Sequence, residues 1–380
     1  TDNDRIEASL QSINGYVMFD SSGADKTNDE LSFFGTPYYT HSRDRFYQLA
    51  YKHTDVLNDI TVQYNLSTFN RSDSFVGSVN EVKVDDKINY LEKSFVRFGA
   101  SYQQFENKTA NNVDIDKSYD ATSAFLTNYN TFNGDTTILT ESLRYDSYSD
   151  FDSSFTGKIG IKQYLYDTFY VSANAGTGYN IPSSFQLYDA TYGNLNLSPE
   201  ETQTYDITLG NETLWVTGFY NKINNLIDYV IIDYTTYAGY YQNVEGESII
   251  QGFEIGYTDY FFEMLGLTAH YTYLKTEDAD GKALGRRPKD QVDVNVVYYA
   301  TENFDLGLNG QYIGERYNFD DKGGAQTGKY TVVNFVSNVK VNDYITVYGK
   351  VDNITDEYYQ TVDGYATAGR SLYIGLNAKY

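Results

Sequence analysis

Towards the end of the chain apolar and polar side chains alternate without interruption: Leu372, Ile374, Leu376, Ala378 and Tyr380 share one face, and Ser371, Tyr373, Gly375, Asn377 and Lys379 share the other. A period of two is the signature of a β-strand with one oily and one wet face. The rhythm recurs upstream. Phe169, Val171, Ala173 and Ala175 alternate with Tyr170, Ser172 and Asn174, and Val292, Val294 and Val296 alternate with Asp293 and Asn295. From the C-terminus backwards, these runs and the polar breaks between them predict strands at about 370–380, 344–354, 330–342, 304–315, 290–301, 265–277, 246–262, 212–226, 201–210, 167–180, 151–165, 135–148, 117–132, 95–107, 78–94, 59–70, 41–54 and 5–20. That is about eighteen strands, an even number. No linker interrupts them, so residues 1–380 read as one unit.

The connections are sorted by length. Val341-Asn342-Asp343-Tyr344 and Ala300-Thr301-Glu302-Asn303 are short turns, whereas the segments near 276–290, 315–330 and 354–369 are long and polar. Short turns on one rim and long loops on the other belong to a transmembrane antiparallel β-barrel, with the short rim periplasmic. No run of eighteen apolar residues occurs, which excludes a membrane helix, but a barrel strand needs only about ten residues and hides its hydrophobicity by alternation. The 41 tyrosines then acquire a role. Tyrosine is comfortable where hydrocarbon meets water, and girdles of such rings flank a lipid-embedded barrel.

Charge and chemistry narrow the function further. A net charge of −24 argues against nucleic acid, whose phosphates require clustered Lys and Arg. Cysteine is absent, which removes disulfides, thiolate metal sites and cysteine nucleophiles. The histidines are His41, His53 and His270, and no nucleophile elbow accompanies them, so no enzyme is expected. His270 shares the polar face with Gly266, Thr268 and Thr272 and is expected to be a hydrated lumen residue. Gly176-Thr177-Gly178 is too short for a dinucleotide loop and lies where a strand bends. Asp278-Ala279-Asp280-Gly281 begins like a calcium hand but presents Lys289 where the closing glutamate should stand. The opening Thr1-Asp2-Asn3-Asp4 carries no basic-then-apolar export signal, so an exported protein is expected to have lost its beginning.

Six segments, in order, carry a resemblance. Gly178-Tyr179-Asn180-Ile181-Pro182, Leu187-Tyr188 and Tyr192-Gly193-Asn194-Leu195-Asn196-Leu197-Ser198-Pro199-Glu200 form the first. Gly218-Phe219-Tyr220 leads to Asn225-Leu226-Ile227-Asp228-Tyr229, and Tyr241-Gln242-Asn243 leads to Gly252-Phe253-Glu254. Arg286-Arg287-Pro288-Lys289 follows, then Val351-Asp352-Asn353-Ile354 with Tyr358-Tyr359, and the chain closes through Gly364-Tyr365-Ala366-Thr367-Ala368-Gly369-Arg370. Together they resemble the TonB-dependent outer-membrane receptors, over roughly the last 210 residues. Leu187-Tyr188, Leu226-Ile227-Asp228-Tyr229 and the Gly364 to Arg370 loop are most similar to the cobalamin receptors. Haem receptors carry an axial histidine between the halves of the first segment, and this chain has none between Pro182 and Asn194.

The resemblance implies a barrel of about 22 strands, of which about eighteen are visible, and a TonB-binding plug upstream of them. The plug and the first strands are expected to be missing from this sequence. It further implies uptake of a small molecule, a corrinoid or else a ferric siderophore, energised by the TonB complex through the plug. Lipopolysaccharide, outer-membrane lipid and a surface lipoprotein are further partners it suggests. A plug-less passive channel or surface-structural barrel is the alternative of another class. Substrate is expected at the extracellular loops near Tyr179, Tyr188, Tyr192 and Tyr365. Asp20, Asp25 and Asp29, with Glu30 beside them in an outward loop, are candidate Ca²⁺ ligands, since hard oxygen donors suit that ion and the cobalamin receptors order loops with it. A solvated acidic loop is the plainer reading. Arg286, Arg287 and Lys289 suit lipopolysaccharide phosphates, substrate or a generic charged rim.

Overall fold

The computed structural model describes residues 3–19, 38–72, 74–110, 113–166, 168–233, 238–365 and 367–379. The first half holds β1 (Asp4–Phe19), β2 (Tyr38–Thr54), β3 (Asn58–Arg71), β4 (Phe75–Leu91), β5 (Ser94–Ala110), β6 (Val113–Phe132), β7 (Thr137–Tyr148), β8 (Ser154–Tyr164) and β9 (Tyr170–Asn180). A short helix α1 (Ser184–Tyr188) precedes β10 (Glu200–Gly210), β11 (Leu214–Asn224), β12 (Ile227–Asp233), β13 (Ala238–Asn243) and β14 (Glu247–Phe261). β15 (Leu265–Glu277), β16 (Asp290–Thr301), β17 (Phe304–Ile313), β18 (Tyr330–Lys340), β19 (Ile345–Asp352) and β20 (Ser371–Ala378) complete the chain. Eighteen of these strands form one antiparallel meander in which each pairs with the next, β12 and β13 standing apart as a separate ribbon between β11 and β14. Among the described residues β1 pairs only with β2, and β20 only with β19.

Among the described residues the sheet encloses no extended apolar core, its buried apolar clusters lying towards the outer end. Across β16, β17 and β18 one cross-strand row reads Val296, Leu308, Phe335 and the adjacent row reads Asn295, Asn309, Asn334. The oily rows face outwards: Leu308 keeps 47% of its surface exposed, Ile159 53% and Leu376 59%. Exposed apolar surface on this scale is incompatible with water and natural in hydrocarbon. The wet rows satisfy one another across the inner wall. Gln48 donates to Asn65, Asn65 to Glu81 at 2.7 Å, and Gln103 to Glu81 at 2.9 Å, a strip running from β2 to β5. Asp85, fully buried, accepts two bonds from Arg97 at 2.9 and 2.7 Å. His270 lies on the inner wall as expected, its ring 6.0 Å from that of Trp215. Trp215 lies flat across Gly256, where any Cβ would stand 2.3 Å from the indole.

Two features depart from the sequence expectation. The connection between β11 and β14 is not a plain loop but the β12–β13 ribbon, with Ile227 opposite Asn243 and Tyr229 opposite Tyr241. Two outer connections in the first half of the chain are not long loops either. Residues 72–74 join β3 to β4 and residues 111–112 join β5 to β6, while the strands themselves run to between 14 and 20 residues. About ten residues suffice to cross the bilayer, so these strands continue past it as protruding hairpins. Ladder pairing continues through the polar runs 106–109 and 114–118, with one register shift between Asn107 and Thr109, where a loop was expected.

Candidate functional site

The apolar packing that the barrel wall lacks is found at its outer end. Leu187, Leu197 and Ile227 are buried together, with Phe151, Tyr188 and Tyr241 against them. Leu187 is placed by α1, whose Ser183 cap accepts from Gln186 N–H while the Gln186 side chain accepts from Ser183 N–H. Asp189 then accepts from the N–H groups of Thr191 and Tyr192, turning the chain sharply at Gly193. Asn194 donates to Tyr241 carbonyl oxygen at 3.0 Å, and Tyr241 N–H donates to Tyr192 carbonyl at 2.9 Å. Asn243 accepts from Ser198 N–H and donates to the carbonyls of Ser198 and Asn225. Glu200 closes the assembly by accepting from Ile227 N–H at 2.7 Å and from Asn180. The segment 178–200 thus staples the β12–β13 ribbon over the mouth.

The neighbouring loops are tied down in the same way. Arg286 N–H donates to Tyr317 carbonyl and Lys289 N–H to Glu315 carbonyl, zipping the β15–β16 loop to the β17–β18 loop. In the β19–β20 loop Asn353, fully buried, accepts from Glu357 N–H and donates to Glu357 carbonyl, while Arg370 reaches Ile354 carbonyl at 2.8 Å. Tyr359 stacks on Tyr330 with ring centres 4.5 Å apart. Most of the family-like segments therefore serve the loop architecture, while Gly218-Phe219-Tyr220 and Gly252-Phe253-Glu254 lie in the wall, in β11 and β14.

Where these loops meet they enclose a cavity of about 470 Å³. Its aromatic wall is Phe185, Tyr192, Tyr229 and Tyr241, packed edge to face at 5.6 to 6.0 Å. The opposite side carries Asp228, Arg286, Arg287, Phe319, Asp320 and Tyr365. Arg286 Nε donates to Asn318 at 3.1 Å and Arg287 to Gly285 carbonyl at 2.7 Å, which fixes both guanidinium groups at the rim. Burial pushes the Asp228 carboxyl above the usual carboxylate range, against smaller opposing pulls from Tyr229 N–H and the two arginines. Burial likewise raises the phenols of Tyr229 and Tyr241, so both remain neutral donors. The cavity combines flat aromatic faces with cationic and anionic hydrogen-bonding groups, equipment suited to holding a bulky polar organic molecule. A second cavity, of about 520 Å³, lies on the inner wall beside His270, Asp293, Gln311 and Lys350.

The structure brings Tyr192 and Tyr365 together in the mouth cavity. Tyr179 instead donates to Asp152 carbonyl and stacks on Tyr148, and Tyr188 packs on the buried cluster below. Asp20, Asp25, Asp29 and Glu30 lie outside the described residues; among the described residues no group of three acidic or histidine side chains could hold a metal ion. Phe185, Asp228, Tyr229, Phe319 and Asp320 were not singled out by sequence as cavity residues. For Asp228 and Tyr229 the signal exists: two β-rich runs flank residues 234–237, the pattern of a hairpin.

A family profile described as "TonB dependent receptor-like, beta-barrel" matches residues 1–354. The chain is 32% identical over 254 residues to the vitamin B12 transporter BtuB of Vibrio cholerae, covering 64% of this chain and 40% of that one. The BtuB of Photobacterium profundum is 32% identical over 246 residues, 63% and 40% of the two chains. The chain thus spans about two fifths of the length of these relatives. Among solved structures, a ferric enterobactin receptor of Pseudomonas aeruginosa superposes with a TM-score of 0.78 at 14% identity, over 100% of this chain and 68% of that one. The copper transporter OprC superposes with a TM-score of 0.76 at 14% identity, over 100% and 70%. At such identities the likeness is one of fold.

Proposed function

From the premise that the chain belongs to the TonB-dependent receptor β-barrel family of the outer membrane, we propose that it captures a corrinoid at its extracellular mouth for TonB-energised uptake. The observation that carries this reading is the 32% identity to vitamin B12 transporters across the barrel. The mouth cavity supports it: aromatic faces suit a flat macrocycle, and Asp228, Arg286, Arg287 and Asn318 suit its amide arms. Proton-motive force acting through TonB and a plug supplies the work of transport, and no covalent step is required. Calcium held by Asp20, Asp25 and Asp29 belongs to the same reading, as an ion that orders the outer loop.

A ferric siderophore is the second reading. It rests on the convergence of Phe185, Tyr192, Tyr229 and Phe319 with Arg286 and Arg287, since aromatic and cationic groups suit an anionic catecholate complex. Equilibrium binding of cyanocobalamin to the full-length receptor in detergent, with Ca²⁺ or with chelator, separates the two. Tight cobalamin binding that weakens on chelation is expected. Cobalamin binding unaffected by chelator removes the calcium part alone. No cobalamin binding, with tight ferric enterobactin binding in the same preparation, overturns the corrinoid reading in favour of the second.

A further inference from the structure

The outer, lipid-facing surface is not uniformly apolar. One cross-strand row on it runs Val96, Asn128, Glu141, Ile159, Ala175, Tyr205, each residue opposite the next from β5 to β10. Its parity is that of the oily face: Leu126, Leu143, Ile159 and Tyr205 are each between 42 and 53% exposed. Along the row the surface is indented into a groove of about 810 Å³, because Gly157 and Ala175 stand where the neighbouring positions carry Leu143 and Ile159. At one end of this apolar groove sits a carboxylate. Glu141 accepts from Asn128 Nδ2 at 3.0 Å, and Tyr90 donates to Asn128 at 2.8 Å and to Asn130. Among the described residues no cation pairs with Glu141.

The depth of that carboxylate follows from the chain. Val96 lies close to the β4–β5 turn, and Asn128 and Glu141 flank the β6–β7 turn, both on the short-turn rim. Tyr90, half-exposed beside them, is a ring of the periplasmic aromatic girdle. Further along the row the residues sit deeper in their strands, Ile159 and Tyr205 at the middle of β8 and β10. The groove therefore climbs from headgroup level into hydrocarbon. Three strand spacings separate Glu141 from Tyr205, about 14 Å at ~4.8 Å each; because the row runs across strands tilted by about 40°, it rises about 9 Å along the membrane normal, within one leaflet of the ~30 Å apolar layer.

The geometry points to a binding site for an inner-leaflet phospholipid whose headgroup ends in a primary ammonium, an ethanolamine type. The ammonium meets Glu141 and Asn128, and one acyl chain lies in the groove over Gly157 and Ala175 towards Tyr205. Charge complementarity selects the occupant: the Glu141 carboxylate attracts a cation at headgroup level, and an ammonium that arrives with its own acyl chain satisfies both ends of the groove. An anionic phosphatidylglycerol would bring like charge to Glu141. The inference rests on the barrel's place in the membrane and not on the substrate.

Native mass spectrometry of the delipidated full-length receptor, titrated with phosphatidylethanolamine or phosphatidylglycerol of identical acyl chains, tests it. The expected preference for phosphatidylethanolamine is roughly tenfold, the size of one charge-assisted hydrogen bond. Glu141→Gln should bring that preference near unity, by weakening phosphatidylethanolamine binding and by relieving the repulsion of phosphatidylglycerol. Ala175→Leu, which fills the groove and leaves the headgroup site intact, should weaken both lipids. Equal retention of the two lipids by the unaltered receptor would overturn the proposal. So would retention of the full preference in Glu141→Gln, or unaltered binding in Ala175→Leu, provided each variant keeps its heat-modifiable migration.

Discussion

Gly193 is the residue on which the mouth turns. An ideal Cβ there would lie 2.5 Å from Asp189 carbonyl oxygen, 2.7 Å from Asp189 nitrogen and 2.8 Å from Leu187 oxygen. All three are backbone atoms, unable to step aside as a side chain tip could. Gly193→Ala should therefore cost about 1–3 kcal/mol, the range for forced overpacking, and the cost should stay local. Limited proteolysis checks this: residues 181–199 and the β12–β13 ribbon become susceptible together while the barrel remains resistant. Susceptibility no greater than in the unaltered receptor would mean that the loop has another way to turn. Asp85 shows the opposite dependence, on a partner. It is 3% exposed and held by the Arg97 guanidinium. Arg97→Ala leaves the buried Asp85 carboxylate dependent on Lys83 Nζ at 3.4 Å, so it should destabilise by about 1–3 kcal/mol, and adding Asp85→Asn to it should recover part of the loss. Denaturant titration of both variants in the same detergent reads the difference.

At the scale of elements, the β12–β13 ribbon links the geometry of the mouth to pH. Burial raises the Asp228 carboxyl in the folded ribbon, so the fold favours its protonated form. The stability contributed is fully present below the unfolded value of about 4 and is lost as pH rises through the higher folded value. Above that window nothing further changes. Amide protection of residues 227–243, corrected for intrinsic exchange, should accordingly fall between the two values, and Asp228→Asn should flatten that fall. A pH-independent protection in the unaltered receptor would contradict it. The ribbon also explains why the segment from Tyr192 to Glu200 has its composition. Asn194, Ser198 and Glu200 each spend a side chain or backbone group on ribbon residues, so the two elements form one cooperative unit.

For the whole molecule, the bilayer decides what each face tolerates. Leu308 stands at the middle of β17 and faces lipid, while the adjacent Asn309 faces the lumen and donates to Asn295 at 2.7 Å. Leu308→Arg should cost about 2–4 kcal/mol and Asn309→Arg only on the order of 1 kcal/mol, the loss of one hydrogen bond. Urea unfolding in phospholipid vesicles checks the ratio, and equal costs would mean that the faces are assigned wrongly. Much of this was legible in the sequence. Alternation at Leu372 to Lys379, at Val292 to Val296 and at Phe169 to Ala175 specifies strand and face together, because a strand's side chains change sides at every residue and local order suffices. The strand count, the sorted turns after β14, the lumen position of His270 and the family followed from that local code and from loop segments read in order. The sequence alone did not reveal the cavity. Phe185, Tyr229, Arg286, Phe319 and Tyr365 come from five separate outer elements, and no local periodicity relates residues that far apart. Nor did it reveal that β5 and β6 run on past the membrane, or that Glu141 sits at the foot of a lipid-facing groove. Which faces are oily is written residue by residue; what those faces enclose is set only when eighteen strands take up their register and the outer loops close over the end.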